Sequence, residues 1–145
     1  RPRPEGSAVD EAAARARFAD ARVARLGTLA RTGRVDLVPI TFALVSGRIV
    51  TAVDHKPKTT TGLRRLDNVR ANPEVGVLVD HYDDGDWDAL WWVRVQGTAE
   101  VVERGADHQS AVEALTAKYP QYERQPPRGP AIVVVPLRWQ WWSAS

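Results

Sequence analysis

The residues best equipped to bind an anion lie in one short segment. His55-Lys56-Pro57-Lys58-Thr59-Thr60-Thr61 runs from the end of a β-rich stretch into the start of a helix. Cations, hydroxyls and the free backbone N–H groups of a helix start converge there, and together they suit a phosphate. Arg65 and Asn68 follow three residues apart on that helix, so both project from one face and complete a cradle with Lys56 and Lys58. The competing reading is a solvated cluster of surface charge. Lysine is scarce, with only Lys56, Lys58 and Lys118 among 20 basic residues, which sets the pair apart from an arginine-rich background.

A second group of candidates is aromatic. The six tryptophans fall in two short clusters. Strand alternation puts Trp91, Val93, Val95 and Gly97 on one face and Trp92, Arg94, Gln96 and Thr98 on the other. Near the C-terminus, Val133, Val135, Leu137, Trp139 and Trp141 form one face, with Arg138, Gln140 and Trp142 opposite. A tryptophan on a polar face contacts something other than its own core, so Trp92 and Trp142 read as ligand contacts or as cover for a subunit interface. Earlier in the chain, Val38, Ile40, Phe42 and Leu44 are bulky and read as core. Leu37, Pro39, Thr41 and Ala43 offer the flatter face that a planar ligand or another subunit needs.

Other chemistries find no support. Zero cysteine excludes thiolate catalysis, disulfides and cysteine-ligated metal centres. His55, His81 and His108 share no metal-ligand spacing, and the loop around Asp84 and Asp86 lacks the calcium-loop pattern. No Gly-x-Ser-x-Gly elbow is present. A net charge of +2 with no basic stripe argues against nucleic acid. No apolar run approaches the roughly 20 residues that cross a bilayer, and no secretory signal pattern is visible, so a cytoplasmic location is expected. With no methionine anywhere, Arg1 does not read as a native start.

The elements that must position these residues follow from periodicity and punctuation. At 145 residues, 43% apolar and 26% charged, the chain fits one globular domain over 1–145, with Arg1–Gly6 as a flexible lead-in. Ser7, Asp10 and Glu11 cap a helix over Ala12–Arg25. Strands are expected over Leu26–Arg31, Val35–Val45 and Arg48–Asp54. A helix over Thr59–Ala71 follows, its apolar side formed by Leu63, Leu66 and Val69. Strands over Glu74–Tyr82 and Ala89–Glu103 precede a helix over Ala106–Tyr119 ended by Pro120. A Pro-rich connection then leads to a last strand over Ala131–Trp142. The pattern predicts an α+β fold on a small barrel of six to seven mostly antiparallel strands with flanking helices. No Gly-rich strand-to-helix turn points to a Rossmann site.

The order of these elements, Arg64-Arg65 with Asn68 and Asn72-Pro73, the stretch Leu90–Ala99 and the terminal Trp141-Trp142 resemble the pyridoxamine-phosphate-oxidase-like split β-barrel flavoproteins. Within that group the chain is more similar to the actinobacterial reductases that use the deazaflavin coenzyme F-420. The resemblance implies a homodimer with cofactor grooves at the interface and hydride transfer to a conjugated small molecule. It implies that Pro39, Ile40 and Thr41 lie along the ring system, that Val53 and Asp54 border it, and that Arg64 and Arg65 hold the phosphate. A Lys-Pro-Lys-Thr insertion before that pair makes Lys56 and Lys58 alternative phosphate contacts. Trp92 falls where the family places a polar ring contact, and Trp142 where the oxidase has a cofactor-site tryptophan. The oxidase's C-terminal arginine motif has no counterpart, so vitamin B6 synthesis is not expected. FMN in place of F-420, and a non-catalytic carrier of flavin, deazaflavin or haem, are the competing expectations.

Overall fold

The computed structural model describes residues 7–53 and 60–145, so the lead-in and the segment containing Asp54, Lys56 and Lys58 lie outside the described residues. Helix α1 spans Glu11–Asp20. Asp10, rather than Ser7, is its cap, and its carboxylate accepts from the Ala13 N–H at 2.9 Å. The helix stops five residues earlier than expected. Ala21 turns extended, freeing Ala24 and Leu26 to enter the barrel as part of strand β1 (Ala24–Leu29). Ala14 and Phe18, four apart, are the buried face of α1.

The strand expected over Val35–Val45 is two strands, β2 (Val35–Ile40) and β3 (Ala43–Val45), interrupted at Thr41 and Phe42. A tight turn at Ser46-Gly47, both with positive φ, leads into β4 (Arg48–Ala52). Helix α2 (Thr60–Ala71), β5 (Glu74–His81), a 3-10 turn at Trp87–Ala89 and β6 (Trp91–Val102) follow. Helix α3 (Ala106–Lys118), a short helix α4 (Pro120–Arg124) and β7 (Ala131–Ser143) complete the order. Helix α4 replaces part of the expected irregular connection. Pro120 does not merely end α3; it occupies the first turn of a new helix, where its missing N–H costs nothing.

Among the described residues, seven strands form one antiparallel sheet in the order β2-β1-β5-β6-β7-β4-β3. The two edge strands are consecutive in the chain and joined by two residues, so the sheet must curl until its edges meet. The result is a split β-barrel. Leu26, Phe42, Ile49, Val77, Val95 and Trp141 are among the side chains filling its interior. A smaller cluster lies under α3, where Ala43, Val50 and Val133 meet Ala111 and Leu115.

Strand β7 does not alternate as expected. Gln96 pairs with Arg138, but Gly97 pairs with Pro136, which leaves Leu137 as a one-residue bulge. Parity therefore reverses along the strand. Ile132 and Val134 face the interior before the bulge, and Trp139 and Trp141 after it. Val133 packs under α3, while Val135 and Leu137 are exposed, Leu137 at 68%. Gly97 permits this crossing, because a Cβ there would stand 2.5 Å from the Val135 carbonyl oxygen and 2.8 Å from Val134 Cγ1. Gly97→Ala is therefore expected to destabilise the fold by about 1–3 kcal/mol or more. Urea denaturation measures this, and a midpoint equal to wild type would contradict the close packing.

Candidate functional site

Where the barrel splits, its backbone groups need other partners. The Thr41 carbonyl accepts from the Thr51 hydroxyl at 2.7 Å. The Phe42 N–H donates to the Tyr119 hydroxyl at 3.1 Å. That hydroxyl carries one proton and lies 2.9 Å from the Arg22 carbonyl and 3.1 Å from the Phe42 carbonyl. Burial raises the Tyr119 pKa, so the phenol stays protonated at neutral pH. Tyr122, on α4, meets the Thr41 hydroxyl at 2.8 Å. Beside these contacts, next to the break at Thr41, lies a cavity of about 410 Å³.

The cavity walls are Pro39, Ile40 and Thr41 at the end of β2, Thr51 and Ala52 of β4, Arg65 of α2, and Gln121, Tyr122, Gln125 and Pro127 around α4. Among the described residues, Arg65 is its one formal charge. The guanidinium Nε is buried without a hydrogen-bond partner, and desolvation lowers its pKa. A partly desolvated cation without an acid partner among the described residues, facing a cavity rimmed by hydroxyls, is chemically suited to an anion. No carboxylate, histidine or lysine lines the cavity among the described residues, so the walls offer binding and orientation rather than a nucleophile with its base.

The structure brings Pro39, Ile40, Thr41 and Arg65 together and sets the other candidates elsewhere. Arg64, about 100° further round the helix, lines a different cavity. Asn68 is buried at 4% exposure, and its amide donates to the Thr28 hydroxyl at 3.0 Å and to Asp36 at 2.7 Å. It thus ties α2 to β1 and β2, beneath the surface on which Arg64 lies. Leu63, expected on the apolar side of the helix, is 49% exposed; Leu66, Asn68 and Val69 form the buried side instead. Val53 packs in the barrel interior, and its N–H donates to the Pro130 carbonyl at 2.9 Å. Asp54, Lys56 and Lys58 lie outside the described residues. Trp92 and Trp142 are direct cross-strand partners on the outer face of the sheet, with the Arg94 guanidinium 5.0 Å over the Trp92 ring. Neither tryptophan lines the split.

Thr51 and the α4 residues were not among the sequence candidates. Tyr119 and Tyr122, three apart across a proline able to start a helix, are the signal that marks them. Among the described residues, no group of three or more histidines and acids is placed to hold a metal ion.

The curled antiparallel sheet, broken where its edge strands join, defines a split β-barrel. A family profile described as pyridoxamine 5'-phosphate oxidase matches residues 10–144, and the chain belongs to that family. Solved structures agree in fold. The conserved hypothetical protein Rv2991 of Mycobacterium tuberculosis is 20% identical with a TM-score of 0.80, the match covering 99% of this chain and 91% of that one. A FAD-binding protein of Mesorhizobium loti is 19% identical with a TM-score of 0.69, over 92% of this chain and 94% of that one. The FAD-binding protein of Mycobacterium smegmatis is 18% identical with a TM-score of 0.62, over 92% and 95%. No curated protein matches.

The Asp36 carboxylate anchors the wall behind Arg64. Hydrogen bonds from Arg34 at 2.9 Å and from Asn68 at 2.7 Å lower its pKa to about 2. A carboxylate depressed from 3.8 contributes stability above that value and loses it as pH falls toward about 2. Asp36→Asn should lower stability at pH 7 and flatten the acid limb between about pH 4 and pH 2. Thermal melts across that range check it; parallel acid limbs in the two proteins would contradict it.

Proposed function

We propose that this protein is an oxidoreductase that seats a phosphate-bearing flavin-type cofactor, coenzyme F-420, at the split, and reduces a conjugated small molecule. The observation that carries the reading is Arg65, a half-buried guanidinium with an unpartnered Nε in a cavity walled by strand ends and hydroxyls. These residues fit the group. Arg65 would hold the phosphate, the hydroxyls of Thr41, Thr51 and Tyr122 are suited to a polyol chain, and the flat edge Pro39–Thr41 is suited to a ring system. When bound, a reduced deazaflavin supplies a hydride, so this chain's task is to bind, orient and exclude water. The arginines around α2 favour a cofactor with an acidic tail over one with a single phosphate. FMN is the second reading, supported by the two FAD-binding proteins of the same fold.

The reading includes a homodimer. The outer sheet face carries exposed Val35, Leu37 and Leu137 beside a furrow floored by Gly27, Gly76 and Gly97. Leu37 is 74% exposed directly opposite Gly27, and an apolar patch of this kind suits a second copy. Trp92 and Trp142, on the same face, would then border the partner's groove.

Titration of the purified protein with F-420, FMN and haem tests the proposal. F-420 should bind most tightly, with turnover on a conjugated acceptor; haem alone binding, or no ligand binding, would refute it. Arg65→Gln should weaken cofactor binding about 10- to 100-fold, the value of a charge-assisted hydrogen bond, while leaving the melting temperature unchanged or raised. Unchanged affinity would remove Arg65 from the phosphate site.

A further inference from the structure

Helix α2 carries a second cavity, of about 660 Å³, on the flank that Arg64 faces. Arg31 and Arg34 of the β1–β2 hairpin and Arg64 and Arg70 of α2 line it, with Leu63 and Asp67 beside them. Two of these cations are engaged. Arg34 makes two bonds to Asp36, at 2.9 and 3.2 Å, and Arg70 reaches Glu103 at 3.2 Å and Asp67 at 4.0 Å. Arg31 and Arg64 have no hydrogen bond or ion pair among the described residues. Among the described residues, four guanidiniums thus share one concavity with one lining carboxylate, Asp67, while Asp36 and Glu103 engage two of them.

The arrangement is built from below. Buried Asn68 donates both to Thr28 of β1 and to Asp36 of β2, and Asp36 in turn holds Arg34. Hairpin and helix are locked together under the cavity floor, so the Arg34 guanidinium is held in place before any ligand arrives. Preorganised guanidinium forks lose little entropy on pairing with oxyanions.

We infer that this cavity is a binding site for a multivalent oxyanion, one bearing at least two phosphate or carboxylate groups, separate from the Arg65 cavity. Such an anion can arrive free, or as the acidic end of a molecule whose phosphate Arg65 holds. Arg64 and Arg65 are adjacent on one helix, so an extended ligand reaches both flanks.

Calorimetric titration of the full chain with inorganic tripolyphosphate at low salt tests the inference. Saturable binding is expected, weakened about tenfold by Arg31→Gln and by Arg64→Gln. Arg25→Gln and Arg48→Gln remove the same charge elsewhere, at half-exposed arginines outside both cavities, and should leave the affinity unchanged. Both Arg31 and Arg64 are exposed, so their variants should melt as wild type does. Equal weakening in all four variants would reduce the effect to net charge and overturn the site, as would the absence of saturable binding. A second arm identifies the source and alone rests on the reading of the Arg65 cavity. Displacement of tripolyphosphate by F-420 but not by FMN assigns the acidic end of a spanning ligand; displacement by neither assigns a free polyanion.

Discussion

Everything in this fold depends on the two residues that join its edge strands. Thr41 and Phe42 leave β2, which pairs with β1, and enter β3, which pairs with β4 at the other end of the sheet. Backbone groups at such a break have no ladder, and burying them unpaired costs about 1–3 kcal/mol each. Side chains from two other elements meet the need, Tyr119 at the end of α3 and Thr51 of β4, and Tyr122 of α4 bonds the Thr41 hydroxyl beside them. The surroundings confirm how much converges there. Phe18 packs edge-on to Phe42 at 5.1 Å, and the Lys118 ammonium lies 3.8 Å from its ring centroid. Burial lowers the Lys118 pKa to about 8, with repulsion from Arg22 adding to it. The polar clamp that closes the barrel also walls the cavity, so the stability of the split and the shape of the site are one problem.

A second consequence concerns α2. A helix packed on a curled sheet buries one stripe and exposes two flanks, and here each flank meets a different concavity. Leu66, Asn68 and Val69 form the buried stripe, Arg65 faces the split, and Arg64 faces the arginine cavity. The buried amide of Asn68 sets this rotation. Turning the helix by one residue would strand that amide in an apolar core and pull Arg65 out of the split.

Much of this was legible in the sequence. Periodicity and turn residues predict six strand segments near the observed positions, and Pro39, Ile40, Thr41 and Arg65 are found in one cavity. Three features were not legible, each because it depends on partners distant in sequence. The break at Thr41–Phe42 looks like continuous alternation until Tyr119, 77 residues away, takes the Phe42 N–H. The bulge at Leu137 reverses the faces of β7 because Gly97 of β6 lets the strands approach. Asn68 shares a helix with Arg65, but its amide is drawn inward by Thr28 and Asp36. A spacing of three places two residues on one side of a helix; it does not say which of them the core will claim.

The contrast among the arginines bears most directly on function. Arg25, Arg34, Arg48 and Arg70 each stand within 4.0 Å of an acid and are about half exposed, the usual condition of a surface cation. Such pairs add little, about 0–1 kcal/mol, and ask nothing further of the fold. Arg65 has the opposite combination. It is more deeply set, its Nε is closed to water and unpartnered, and no acid approaches it among the described residues. Packing alone does not account for this, since a leucine or methionine would fill the same wall without desolvating a charge. The fold keeps a partly desolvated cation in the cavity wall, and an anion seated against it would offset that cost.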